Sequence, residues 1–207
     1  MAEKILDEKR LLRQQAEIQR LAFSKEDRMR CSAKIMERLR QEPAYRGALS
    51  VMLYAPMDME VQIGGLMEEL LAEGRIVLLP LVTGRGAMEA VRLPSVDTLV
   101  PDAFDILTVE AAHRKMFLAS EIDCVIVSGA AFSRKGARLG LGGGYYDRFL
   151  RTKAPQAKRI AVAYSFQMVD DVPTDEYDAW MDVIVTEKEV IRIEDRGAEV
   201  CNHCNHR

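Results

Sequence analysis

The chain has 207 residues, of which 48% are hydrophobic, and its formal net charge is −3 at pH 7. This length fits one domain with a sizeable core, and the charge gives no bulk attraction to nucleic acid or to an anionic membrane. No apolar run reaches the roughly eighteen residues of a membrane span, and the charged N-terminus lacks the apolar centre of a signal peptide. The four cysteines do not form a disulfide framework, so a reducing cytoplasm is the expected location.

Two helices are predicted at the N-terminus. Residues 2–22 have helical spacing, with Leu11 and Ile18 on one apolar face. Ser24 is the expected N-cap of a second helix, because acids follow it in the first turn and the apolar spacing continues to about Gln41.

Strands and helices alternate in the rest of the chain. The predicted strands are 48–55, 75–82, 87–93, 122–127, 159–166 and 181–185, with 190–193 as a possible edge strand. A helix at 61–73, closed by Gly74, joins the first two strands and predicts a parallel crossover. Ligand sites in such sheets form beyond the carboxyl ends of the strands, where the loop at 56–60 is expected.

This order predicts an α/β fold. We expect a single three-layer α/β/α domain over residues 1–195, with a mainly parallel sheet and the two N-terminal helices, within 1–42, packed on it. Residues 196–207 are expected to form a flexible tail that contains two cysteines and two histidines. A metal site in this tail is the alternative, but tetrahedral sites usually separate their ligand pairs by about a dozen residues.

The most informative stretch follows the strand predicted at 122–127. Its centre, Gly140-Leu-Gly-Gly-Gly144, is too rich in glycine for a regular element. Such a run can curl and point several successive N–H groups at one spot, which creates an anion site. A helix predicted at 145–151 adds the partial positive charge of its N-terminus.

Charged residues near this glycine-rich loop (140–144) support a phosphate ligand. The cations are Arg134, Lys135, Arg138 and Arg148. Asp147 is the one acid among them, and its carboxylate suits a magnesium ion shared with phosphates. The spacing fits neither the Walker pattern nor the dinucleotide fingerprint. A glycine hinge without a ligand is the alternative.

The segment Arg138-Leu-Gly-Leu-Gly-Gly-Gly-Tyr-Tyr-Asp147, preceded by Ala131-Phe132 and Gly136, resembles the signature of the 5-formyltetrahydrofolate cyclo-ligases, also called methenyltetrahydrofolate synthetases. The resemblance extends over roughly 4–190. Its further positions are Lys9-x-x-x-Arg13, Tyr54-Ala-Pro56, Glu60-Val61, Leu79-Pro80, Phe166-Gln167, Pro173, Asp178 and Val185-Thr-Glu187.

The resemblance implies ATP- and Mg²⁺-dependent cyclisation of 5-formyltetrahydrofolate to 5,10-methenyltetrahydrofolate by a cytoplasmic monomer. ATP would phosphorylate the formyl oxygen, since a formamide oxygen is a poor nucleophile and a poor leaving group. Phosphoryl transfer is catalysed mostly by alignment and charge neutralisation, so no protein nucleophile is required. The implied partners are small molecules, with neither nucleic acid nor membrane among them.

The resemblance also implies roles for individual residues. ATP would contact Lys9, Arg13, Arg138, Leu139, Gly140, Leu141, Gly142, Gly143, Gly144, Tyr145 and Tyr146. The reduced folate would contact Ala55, Glu60, Gly142, Gly143, Gly144 and Tyr145. The catalytic residues would be Arg138, Asp147 and Tyr145, with Asp147 as the metal ligand. By spacing alone, Lys9 and Arg13 are a solvated basic pair one helical turn apart, and Glu60 is an exposed loop acid.

The chain departs from the family's usual pattern in four places. Ser133 stands where an aspartate is common, Thr108-Val109 replaces Glu-Pro, Leu141 replaces an aromatic or basic residue, and Tyr177 replaces a histidine. Two alternatives therefore stay open. One is a related ATP-using enzyme that acts on another formamide or pterin, and the other is a nucleotide- or folate-binding regulator without turnover.

Overall fold

The computed structural model describes residues 2–103 and 105–194, so the tail predicted at 196–207 lies outside the described residues. The helices are α1 (Ala2–Ala22), α2 (Lys25–Gln41), α3 (Pro43–Arg46), α4 (Gly65–Ala72) and α5 (Tyr145–Thr152). The strands are β1 (Ser50–Met52), β2 (Ile76–Gly84), β3 (Ala87–Arg92), β4 (Leu99–Pro101), β5 (Leu107–Val109), β6 (Lys115–Phe117), β7 (Cys124–Val127), β8 (Ala131–Ser133), β9 (Arg138–Leu139), β10 (Lys158–Val162), β11 (Met168–Val169), β12 (Val183–Val185) and β13 (Val190–Arg192). Of the helices described, none has the length and apolarity needed to cross a bilayer.

An eight-stranded sheet forms the centre of the molecule, in the order β13-β12-β10-β7-β1-β2-β3-β6. Its five central strands, β12 to β2, are parallel to one another, and β13, β3 and β6 pair antiparallel at the two sides. Strands β1, β7 and β12 are fully buried, and β7 and β12 are entirely apolar, as expected where both faces of a sheet are covered.

Helices cover the two faces of this sheet and make three layers. On one face, Ile35 of α2 and Leu66 of α4 pack with Val51 of β1. On the other face, Phe149 of α5 packs in the same cluster as Met52, the next residue of β1. Successive strand residues point to opposite faces, so both clusters draw on the same strands. The predicted α/β fold with a mainly parallel sheet is confirmed.

Helix α1 has the predicted bounds, but a different face of it is buried. Leu11 and Ile18 are 56% and 67% exposed, whereas Ala16 and Arg20 are buried. The helix contacts β8, in a small three-stranded sheet of order β11-β8-β9 that the sequence did not predict. Ala16 packs there with Ala131, since two small side chains allow the helix to approach the strand closely.

Several boundaries also differ from the predictions. Helix α4 begins at Gly65, four residues later than predicted, because the preceding chain is held by the Tyr54 hydroxyl, which donates to the Val61 carbonyl at 2.7 Å. Between the strands predicted at 87–93 and 122–127, the chain also forms the β4–β5 hairpin, which the sequence did not predict. The Ser24 cap is confirmed, since its side chain accepts from the Asp27 N–H at 3.0 Å.

Candidate functional site

The site lies beyond the carboxyl ends of β1 and β7, which are neighbours in the sheet. The chain that leaves β1 reaches Glu60, and the chain that leaves β7 reaches Ser128. The Ser128 hydroxyl donates to Glu60 Oε1 at 2.6 Å, and the Met57 N–H donates to Glu60 Oε2 at 3.0 Å. Glu60 is only 5% exposed, so it is a fixed acid rather than the exposed loop acid that spacing alone suggests.

A cleft of about 480 Å³ opens beside Glu60. It is lined by Arg13, Ala16, Glu17, Arg20, Met57, Asp58, Met59, Glu60, Ala130 and Leu141. Helix α1 forms one wall and the loop after β1 forms another. The cleft is thus apolar for much of its lining, with three acids and two arginines around it, and small-molecule sites commonly combine apolar walls with a few polar groups.

Arg20 is the principal cation of this cleft. Its guanidinium is buried, and Nη2 donates to the carbonyl oxygen of Gly129. The buried Nε has no hydrogen-bond partner among the described residues. Burial lowers the pKa of Arg20, and the nearby charge of Glu60 opposes that shift, so the group stays protonated in any ordinary buffer.

Sequence reasoning missed Arg20, although a signal for it was present. Lys9, Arg13, Ala16 and Arg20 are spaced by four, three and four residues, which places them on one face of α1. This polar face is the one turned towards the protein body. The apolar face with Leu11 and Ile18 does not mark the buried side of α1, because this helix packs on the protein through the face that borders the cleft.

The glycine-rich loop curls as the sequence predicted. Gly142 and Gly144 have φ angles of 112° and 64°, in the region that side chains other than glycine rarely adopt. Gly144 is the N-cap of α5 and provides no side chain to cap it, so the first-turn N–H groups of the helix remain available for an anion. Arg13 Nε donates to the Gly140 carbonyl at 2.9 Å and ties the loop to α1.

Arg138 and Asp147 form an ion pair behind the loop. Arg138 Nη2 donates to Asp147 Oδ1 at 2.8 Å, and Nη1 donates to the Ser128 carbonyl at 3.0 Å. The Ala179 N–H also donates to Asp147 Oδ1, at 3.2 Å. The side chains of Arg138 and Asp147 are only 4% and 15% exposed, so this pair connects the end of β7 to the start of α5 in a shielded place.

The predicted cations separate into two groups. Arg148 lies at the loop, where Nη2 donates to the Gly143 carbonyl at 2.9 Å. Arg134 and Lys135 instead lie in the turn between β8 and β9, at the opposite end of that hairpin from the glycines. The exposed Arg134 forms an ion pair with Glu189 there. The prediction that Arg134 and Lys135 lie around the glycines is therefore wrong, because the length of the β8–β9 hairpin separates its turn from the glycine-rich loop.

Lys9 is not part of a solvated basic face. Its ammonium group donates to Asp175 Oδ2 at 2.7 Å and to both oxygens of Asp178 at 2.9 and 2.7 Å. Burial alone would lower the pKa of Lys9, but these hydrogen bonds outweigh it and raise the pKa. Lys9 and Arg13 thus have different partners in this structure, although they lie on one face.

The two tyrosines of the motif occupy different environments. The half-buried Tyr145 ring lies against the loop, so that a Cβ added at Gly143 would be 2.7 Å from Tyr145 Cδ2. The Tyr146 hydroxyl is buried without a hydrogen-bond partner among the described residues, and burial raises its pKa. The Arg138 guanidinium carbon is 5.9 Å from the centroid of the Tyr146 ring. Tyr145 is therefore the tyrosine placed beside the loop surface.

Two other predicted residues lie behind the site rather than on its surface. Ala55 is 8% exposed and directly precedes the loop that carries Met57. Leu139 is 1% exposed in β9, and its carbonyl accepts from the Ala130 N–H at 2.7 Å. Leu139 thereby ties β9 to the chain that follows β7, next to the cleft residue Ala130.

A single methyl group at Gly129 is expected to destabilise this region. A Cβ at that position would lie 2.7 Å from Phe132 Cζ and 3.1 Å from the Leu139 carbonyl oxygen, which is backbone and cannot rotate away. Gly129→Ala should therefore lower the free energy of unfolding by about 1–3 kcal/mol, the usual cost of overpacking. Chemical denaturation measures it. Gly64→Ala is the control, since nothing lies within 4 Å of its Cβ, and an equal loss in both variants would contradict this account.

Within the described residues, no group of three or more His, Cys, Asp or Glu side chains converges to hold a metal ion. Asp147 has one oxygen, Oδ2, that accepts no hydrogen bond from those residues. Mg²⁺ is commonly bound by one or two carboxylates together with substrate phosphates and water. The single free carboxylate oxygen beside the glycine-rich loop fits such a site, in which most ligands would come from the nucleotide.

Comparison with known proteins agrees with the fold and the motif. A solved 5,10-methenyltetrahydrofolate synthetase from Aquifex aeolicus superposes with a TM-score of 0.81 at 34% identity, covering 96% of this chain and 99% of that one. Another from Mycoplasma pneumoniae has a TM-score of 0.70 at 25% identity, covering 86% and 98%. A probable 5-formyltetrahydrofolate cyclo-ligase of Caenorhabditis elegans is 28% identical over 82% of this chain and 87% of its own length. The model of the 5-formyltetrahydrofolate cyclo-ligase family matches residues 5–187, and the chain belongs to that family.

Proposed function

We propose that this protein converts 5-formyltetrahydrofolate and ATP to 5,10-methenyltetrahydrofolate, ADP and phosphate. The observation that carries the proposal is that the cleft and the glycine-rich loop adjoin. Arg13 and Leu141 line the cleft, and Arg13 also donates to the loop at Gly140. A nucleotide on the loop and a ring system in the cleft would thus meet end to end, as phosphoryl transfer between them requires.

The nucleotide half of the proposal uses the loop and the start of α5. The free N–H groups there would bind the ATP phosphates, and Arg138 would add a shielded positive charge close to them. Asp147 would hold Mg²⁺ through Oδ2, and the bound ion would neutralise charge between the β and γ phosphates. Arg138 also orients Asp147, since it holds the other carboxylate oxygen.

The folate half uses the cleft. Glu60 and Arg20 would bind the polar edge of a reduced folate, while Met57 and Met59 would pack on its ring. The formyl oxygen takes the γ-phosphoryl group of ATP, and ADP leaves. N10 of the folate then attacks the formyl carbon, loses its proton, and phosphate departs from that carbon as the ring closes. Tyr145, beside Gly143, would flank the two substrates where they meet.

The family departures are consistent with this substrate. Leu141 lines the cleft, whereas Ser133 is buried in β8 and Tyr177 is 69% exposed. Of these three residues only Leu141 lines the cleft, so the other two differences from the family pattern do not change the cleft lining. A reducing cytoplasm is the proposed location, which the buried free thiols of Cys31 and Cys124 support.

The test is the absorbance of the methenyl product, followed with the purified full chain, 5-formyltetrahydrofolate and Mg-ATP. Product formation that requires both substrates is expected. Tight ATP binding without product would favour the regulator, and ADP release with another formamide or pterin, but not with this folate, would favour a related enzyme.

Glu60→Gln is expected to raise the KM for the reduced folate about tenfold, with the KM for ATP changed less than about twofold. The reason is the loss of a charged acceptor in the cleft, where hydrogen bonds to charged groups contribute about 1.5–3 kcal/mol. Steady-state kinetics with each substrate varied in turn measures the two effects. Glu17→Gln makes the same change at an exposed position of the cleft, so equal effects in both variants would contradict the assignment.

A further inference from the structure

We infer that Arg148 is a positioning residue that fixes the glycine-rich loop by bracing it against the β2–β3 turn at Gly86. This inference rests on the proposed function, in which the loop binds ATP. Arg148 lies in the first turns of α5, where the positive end of the helix dipole makes a cation unfavourable. Its position therefore needs a reason other than helix stability.

The guanidinium of Arg148 lies between two stretches of backbone. On one side, Nη2 donates to the Gly143 carbonyl at 2.9 Å and is 3.4 Å from the place of a Cβ on Gly144. On the other side it touches Gly86, where an added Cβ would lie 2.5 Å from Arg148 Cζ. Gly86 has a φ of +71°, so both its conformation and the arginine beside it favour glycine. No side chain fits at position 86 unless the guanidinium moves.

A second contact holds α5 to the same hairpin. Lys153 is the C-cap residue of α5. Its ammonium group forms an ion pair with Glu89 and donates to the Met88 carbonyl at 3.3 Å. Helix α5 is thus joined to β3 at its far end and to the turn that precedes β3 at its near end. The hairpin serves as a fixed support for the helix and for the loop before it.

The contact at Gly143 has a direct consequence for anion binding. In a planar trans peptide, the C=O and the N–H point in opposite directions. By holding the Gly143 carbonyl, Arg148 fixes the direction of the Gly144 N–H, which donates to no group among the described residues. Arg13 acts in the same way at Gly140, so the two ends of the loop are each held by one arginine.

Three variants test the inference in the full chain: Gly86→Ala, Arg148→Ala and the double variant. Each single change is expected to raise the KM for ATP about three- to tenfold, the effect of one net hydrogen bond, with the KM for the folate within about twofold. The KM for ATP of the double variant should not exceed that of the single variant with the higher KM, because both changes break the same contact. Gly74→Ala is the control, since its φ is +74° but nothing lies within 4 Å of its Cβ.

Backbone ¹⁵N order parameters at 140–144, measured without nucleotide, separate this inference from the proposed function. Lower order parameters in Gly86→Ala and Arg148→Ala, but not in Gly74→Ala, support the brace even if the wild type forms no methenyl product. Order parameters in Gly86→Ala that match those of Gly74→Ala overturn it, whatever the activity. Additive increases of the KM for ATP in the double variant would also overturn it, because independent effects do not share one contact.

Discussion

Asp147→Asn is expected to reduce turnover by at least about a hundredfold and to lower the free energy of unfolding by about 1.5–3 kcal/mol. The stability loss follows from Arg138, which is 4% exposed and would lose its ionic partner, since hydrogen bonds to charged groups contribute this much. The turnover loss follows from the charge that the proposed metal site needs, because an asparagine is a poor ligand for a hard cation between phosphates. ATP affinity should fall less, since the loop amides remain.

A double-variant cycle separates the two effects of Asp147. Arg138→Gln alone should also destabilise the protein, because it leaves a largely buried carboxylate without its cation. The combination of Arg138→Gln with Asp147→Asn should recover part of that stability, since two neutral amides can pair, while turnover should stay low. Denaturation and turnover are measured on all variants, with the exposed Asp170→Asn as control. Near-normal turnover of Asp147→Asn at saturating Mg²⁺ would contradict the metal assignment.

Lys9→Met is expected to lower the free energy of unfolding by about 3 kcal/mol, at the lower end of the range for breaking a buried ion pair. The side chains of Lys9 and Asp178 are 7% and 13% exposed and that of Asp175 is 32% exposed, so removal of the ammonium group leaves a shielded and a half-buried carboxylate without their shared cation. Lys4→Met is the control, because Lys4 is 81% exposed and its 3.7 Å pair with Glu8 contributes little. Equal stability losses in the two variants would contradict this role of Lys9.

The stability difference between the wild type and Lys9→Met should depend on pH in a defined way. Burial would raise the pKa of Asp175, but its hydrogen bond from Lys9 and one from the Tyr177 N–H lower it instead. A lowered carboxyl pKa contributes stability that is present above the unfolded pKa, about 3.9, and is lost as the pH falls through the folded value. The raised pKa of Lys9 contributes below about 10.4 and is lost as the pH rises through the folded value. The difference should be constant between these limits and shrink on both sides.

The same variant also tests the nucleotide role that the family resemblance assigns to Lys9. At a temperature where the variant is fully folded, an unchanged KM for ATP would show that Lys9 acts through its aspartates. A KM raised by more than about tenfold would show instead that Lys9 leaves Asp175 and Asp178 to contact the nucleotide during turnover.

The sequence by itself determined the layered sheet and the curl of the glycine-rich loop. The strand–helix–strand order near residues 48–82 and the mainly apolar strand predicted at 122–127 are local patterns, and each produced an element in the expected place. The curl of 140–144 is equally local, because glycine alone tolerates the φ angles found at Gly142 and Gly144. The sequence also predicted a helix at 145–151, directly after the loop, and α5 begins there at Tyr145.

Only the tertiary structure decided which side chains the site brings together. Lys9 meets Asp175 across 166 positions, and Arg20 meets Gly129 across 109. Periodicity within α1 shows which residues share a face, but it carries no information about such distant partners. The turn at Arg134 shows the same limit, because neighbours in sequence lie at opposite ends of a hairpin. Local patterns select backbone conformation, whereas the pairing of buried charges depends on how the finished elements pack.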